Sequence, residues 1–102
     1  MLVAIPAEMN LGSISLSTSH AFEFRIQNKG TEPITPSVKV SCTGCTQAHL
    51  LKTTIGAGET TILKVIFTPK AHGQQSKVVR LNYTPKGLNQ QSLAVTFNCV
   101  VI

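Results

Sequence analysis

Two cysteines and a histidine fall close together in the stretch VSCTGCTQAH: Cys42, Cys45 and His49. Two thiolates and an imidazole at this spacing are ligand types of zinc sites, with Cys99, His20 or His72 as the fourth. Zinc motifs that are legible from sequence carry a second complete ligand pair, which this chain lacks. A small metal-binding or redox module using Cys42, Cys45 and His49, with Cys99 as a further candidate ligand, therefore stands as the alternative, behind a structural role for the thiols. A thioredoxin-like redox pair needs a helix N-terminus to lower the thiol pKa, and no helical period follows Cys45. In a fully extended strand the two cysteine Cα atoms would lie about 10 Å apart. A disulfide needs them within roughly 7 Å, so a bridge requires a turn at Thr43 and Gly44. Under oxidising conditions such a turn closes a small local staple. The leading expectation is plainer: Cys42 and Cys99 are small apolar side chains of a core, and Cys45 lies in a loop as the thiol most open to reagents.

Composition argues against the commonest catalytic constellations. The chain has no Asp, and its only carboxylates are Glu8, Glu23, Glu32 and Glu59. The usual orienting acid of a hydrolytic triad and a main ligand of calcium loops are thus missing. His20, His49 and His72 fall in or beside connectors, with nothing to orient a Cys–His nucleophile pair. No catalytic residue and no cofactor is expected. Nine Lys and Arg against the four Glu give a net charge of +5, but the cations are dispersed along the chain. With few aromatics for base stacking and no basic cluster, nucleic acid ranks last among partners.

Residues of this kind need a scaffold, and apolar–polar alternation recurs from end to end. In HAFEFRIQNKG, Phe22, Phe24 and Ile26 point one way and Glu23, Arg25 and Gln27 the other, with Asn28, Lys29 and Gly30 as the turn. SVKVSC puts Val38, Val40 and Cys42 on one face. TILKVIFTP does the same with Leu63, Val65 and Phe67, and KVVRLNYTP with Val79, Leu81 and Tyr83. SLAVTFNCVVI aligns Leu93, Val95, Phe97, Cys99 and Val101. A strand within Leu2 to Leu16 and a weaker one around His49 to Thr54 bring the total to about seven short antiparallel strands. The predicted fold is all-β, an immunoglobulin-like sandwich forming one domain over residues 1–102. A chain of this length buries roughly two thirds of its unfolded surface and needs no metal to fold.

A short repeat connects FTPKAHGQQSKVV to YTPKGLNQQSLAV. Each unit runs from an aromatic strand end through Pro and a polar connector into a new strand. Its simple reading is shared turn chemistry. Its functional reading is a pair of amide-rich loops, Gln74 with Gln75 and Gln90 with Gln91, offering donors and acceptors to a partner.

The order PAEMNLGSI, FEFRIQNKGTEPI, VKVSCTGCT and IGAGETTILKVIFTPKAHG resembles the immunoglobulin-like families related to ASH (Hydin-like) and major sperm protein domains. It is most similar to a bacterial and phage domain family marked by a Ser-Cys-Gly-Cys-Thr motif. The resemblance rests on Gly12, on Phe24 with Asn28 and Gly30, on Gly58 with Glu59, and on Phe67 with Pro69. The chain departs from the motif in placing two residues, Thr43 and Gly44, between its cysteines. The resemblance implies a binding or structural role and no catalytic reaction.

The expectation is a non-enzymatic protein that acts by protein contact, and more narrowly a phage capsid decoration or cement protein. Its partners would be capsid or other virion proteins, with a homo-oligomer as a further option. Attachment would use strand edges, Val100, Ile102 and the terminal segments. The N-terminus lacks the pattern of a signal peptide, and no segment reads as a bilayer span. The expected location is a virion, after synthesis in a host cytoplasm.

Overall fold

A computed structural model describes all residues, Met1–Ile102. Eight strands form without any helix: β1 (Leu2–Ile5), β2 (Glu8–Ile14), β3 (His20–Asn28), β4 (Ser37–Val40), β5 (Thr46–Leu50), β6 (Thr60–Phe67), β7 (Gly73–Tyr83) and β8 (Gln91–Val101). They make two four-stranded sheets, in the orders β1-β3-β6-β5 and β2-β8-β7-β4. This is the predicted sandwich, with one strand more than the alternation implies. The segment from Leu2 to Leu16 is two strands, because the chain breaks at Pro6 and crosses from one sheet to the other. β2 then runs parallel to β8, the exception to an otherwise antiparallel arrangement. Gly12 lies inside β2, where the register to β8 shifts between Asn10 and Ser13.

Period-two alternation builds the core. Phe24, Ile26, Leu63, Val65 and Phe67 from one sheet face Val79, Leu81, Val95, Phe97, Cys99 and Val101 from the other, all buried. Each large side chain so buried contributes roughly 1.5 to 3 kcal/mol. Phe97 sits at the centre, edge-on to Phe67 with centroids 5.1 Å apart and to Phe22 at 4.9 Å. Phe22 itself is only half-buried, at the rim of the cluster.

Candidate functional site

The cysteine stretch forms the corner where the chain leaves one sheet for the other. β4 ends at Val40, and Ser41 adds one further pair of contacts: its N–H donates to the Val78 carbonyl at 3.0 Å, and its Oγ accepts the Val78 N–H at 3.0 Å. Thr43 and Gly44 then turn the chain, Gly44 with φ of 91°, a left-handed conformation that glycine adopts without strain. The Thr46 N–H donates to the Cys42 carbonyl at 3.0 Å, closing the turn. With the Cα atoms 5.6 Å apart, Cys42 and Cys45 are joined in a disulfide.

Two expectations are corrected here. Cys45 is not an accessible loop thiol: it is 6% exposed and belongs to the core cluster. Cys42 does not continue the inner face of an extended strand, since β4 stops two residues before it, and it is the less buried sulfur of the pair. The staple is the arrangement that the turn at Thr43 and Gly44 permits.

Geometry separates the remaining metal candidates. His49 pairs with Lys64 on the outward face of β5 and β6, whereas Cys45 turns into the core. Cys99 is a free, buried thiol on the inner face of β8, with β7 between it and β4. Burial pushes its pKa up, and Lys77 pulls weakly the other way. His20 bonds locally, its Nε2 2.8 Å from Thr18 Oγ1. No three His, Cys, Asp or Glu side chains converge. Three surface clefts exist, of about 170, 140 and 220 Å³, and neither His nor Cys lines any of them.

The amide-rich segments lie in different surroundings from those expected. Gln74 and Gln75 belong to β7 and Gln91 to β8; only Gln90 is in a connector. Gln74 pairs with Val100 at one end of the β7–β8 hairpin and Gln91 with Tyr83 at the other. At about 3.3 Å per residue the two Gln pairs are roughly 30 Å apart and cannot form one surface. Gln75 Nε2 donates to the Ala71 carbonyl at 2.7 Å, and Gln91 Oε1 accepts the Tyr83 hydroxyl at 3.2 Å. Val100 and Ile102, by contrast, stand out beside Gln74, 44% and 67% exposed. They are held firmly: the Ile102 N–H donates to Ile14, and its carbonyl accepts the Leu16 N–H.

Residues 4–99 match the family described as protein of unknown function (DUF1573). The chain belongs to the DUF1573 family. No curated protein matches it. Among solved structures, this DUF1573 chain is similar to the ASH/PapD-like domain 7 of human CEP192, with TM-score 0.79 and 7% identity over 99% of this chain and 84% of that one. It is similar to SSP-19 of Caenorhabditis elegans, an MSP-domain-like protein, with TM-score 0.69, 12% identity, and 95% and 97% coverage. It also resembles the CsuC–CsuE chaperone–tip adhesion subunit complex of Acinetobacter baumannii, with TM-score 0.64, 14% identity, and coverage of 99% of this chain but 57% of that one. At these identities the likeness establishes the fold, an immunoglobulin-like sandwich of ASH/PapD and MSP type. The same fold covers 30% of the Vibrio cholerae protease VesB, so fold alone does not divide binding proteins from enzymes. No helix is long and apolar enough to cross a membrane.

Proposed function

We infer that residues 1–102 form a non-catalytic module that works by binding other proteins. The carrying observation is the pair Val100 and Ile102, large apolar side chains exposed on ordered backbone: Val100 is paired with β2 and β7, and Ile102 is bonded to Ile14 and Leu16. Apolar groups held rigidly in water gain free energy when a partner covers them, at little further cost in ordering the chain. The closure of Cys42 and Cys45 in a disulfide supports the same reading, because it removes both thiols as nucleophiles. A sandwich of this type in a chaperone–subunit complex, CsuC–CsuE, adds support from the fold.

The test is affinity purification from the native source with the wild-type chain and with Val100→Asp/Ile102→Asp. A stoichiometric protein partner retained by the first and lost by the second is expected. Migration of the wild-type chain alone in native extract overturns the inference. The narrower expectation of a virion decoration protein rests on analogy of fold use alone, and mass spectrometry of purified particles that lack the chain would remove it.

A further inference from the structure

β7 has one complete flank and one half-empty flank. Towards β8 it is paired over its whole length, from Gly73↔Val101 to Tyr83↔Gln91. Towards β4 it is paired only from Val79 to Asn82, with Ser41 adding the two bonds to Val78. There the disulfide turn carries the chain into the other sheet, leaving Gly73–Lys77 with no neighbour on that side.

The direction of the backbone groups follows from Val78, whose N–H and C=O both point to Ser41. With a period of two, Ser76 and Gln74 turn their N–H and C=O groups to the same flank. Both residues are exposed, and neither takes part in a backbone bond outside the strand ladders. Two donors and two acceptors therefore stand in a row, in line with β4. Other strands carry devices that blunt an edge. β2 has its register shift, β1 stops at Ile5 just before Pro6, β4 is four residues long and bears Lys39, and β5 returns its Thr46 N–H to Cys42. Gly73–Lys77 has a continuous register and no proline. Its Gln75 side chain is drawn back to Ala71. The Ser76 hydroxyl is engaged with Asn98, which in turn donates to Glu8.

We propose that this open flank receives an extended acidic segment of a partner protein as an added strand. The proposal rests on the protein-binding reading and narrows it to one edge and one chemistry. Lys77 is half-buried on the inner side of the slot, and Lys39 stands directly opposite Arg80 on the outer face just beyond it. None of the three is in an ion pair, since the one ion pair of the chain joins Lys52 to Glu59. Like charges opposed across a ladder destabilise it, and carboxylates on an incoming strand relieve that repulsion. A second copy is the poorer occupant. It brings a further net charge of +5 to the same place. A five-residue edge, about 16 Å long, is also too short to bury by itself the roughly 800 Å² per partner of a stable dimer.

The experiment titrates the oxidised chain with two labelled eight-residue peptides, one alternating Glu with Thr or Val and the other Lys with Thr or Val. Binding is followed by fluorescence anisotropy and by amide chemical shifts. The expected result is at least tenfold preference for the Glu peptide, with the largest amide shifts at Gln74 and Ser76. Ser76→Pro, which removes an N–H aimed into the slot, is expected to weaken binding at least tenfold. Lys77→Glu, checked by circular dichroism for an intact sheet, is expected to reverse the preference. Equal affinity for both peptides, shifts centred elsewhere, or no binding at millimolar peptide overturns the proposal. A dimer in sedimentation that Ser76→Pro abolishes overturns it in favour of a second copy. If Ser76→Pro keeps the native partner and Val100→Asp/Ile102→Asp loses it, the edge proposal fails while the protein-binding reading stands.

Discussion

Tyr83, the last residue of β7, accepts the backbone N–H of Leu2, the first residue of β1, at 3.1 Å. The bond spans the two sheets and fastens the first strand to the end of the longest hairpin. The Tyr83 hydroxyl in turn donates to Gln91 Oε1 at 3.2 Å, so it acts as both acceptor and donor. Tyr83→Phe keeps the ring in the core and leaves the Leu2 N–H without a partner. A loss of about 1 to 2 kcal/mol is expected, read as a lower urea midpoint with unchanged slope. An unchanged midpoint would mean that water replaces the hydroxyl at no cost.

Asn28, the last residue of β3, lies opposite Leu2 and holds the same end of the sheet. Its side chain is fully buried, donates from Nδ2 to the carbonyls of Glu32 at 2.8 Å and Ile55 at 2.9 Å, and accepts the Gly30 N–H at 2.9 Å. Asn28→Ala strands these three groups, and a loss of about 3 kcal/mol is expected in thermal or urea unfolding. Asn28→Asp is expected to be worse at neutral pH, because it sets a carboxylate against two carbonyl oxygens. Recovery of Asn28→Asp at low pH, where the carboxyl is protonated and can donate, would identify the lost donors as the cause.

The core was legible in the sequence wherever a strand ran straight. Phe24 and Ile26, Leu63 to Phe67, Val79 to Tyr83 and Val95 to Val101 all face inward as alternation requires. Legibility failed where the chain turns without a break in composition. Cys45 looked like a loop residue because nothing in SCTGC says that the turn folds it back into the core. Asn28 read as a turn residue, since the same amide that suits a turn can also cap a buried loop through long-range bonds. GQQS and NQQS have turn-like letters, yet pairing between β7 and β8 draws three of their four glutamines into strands. The open flank beside Gly73–Lys77 is a property of where β4 stops, and no local pattern encodes it.

The disulfide closes a loop with a sequence separation of only three residues. By the chain-entropy relation so short a loop contributes about 2 kcal/mol, small against a complete core. Reduction with a dithiol is therefore expected to lower the urea midpoint while the chain stays folded, with its β-sheet circular dichroism intact. Unfolding on reduction at 25 °C would show that the corner from β4 to β5 depends on the staple for more than this.

Cys99 gives a pH dependence with a definite sign. Burial raises its pKa in the folded state, so the unfolded chain loses the thiol proton first as pH rises. Its contribution to stability is complete below the unfolded value of about 8.5 and is lost as pH climbs from there through the folded pKa. With the disulfide intact this is the single free thiol, 3% exposed. Iodoacetamide at pH 8 is expected to leave it unmodified in the folded chain and to label it fully in denaturant. Cys99→Ala is expected to flatten the alkaline decline measured by urea unfolding between pH 8 and 10. Labelling of the native chain as fast as of the unfolded one would place that thiol in contact with solvent and remove the basis for both expectations.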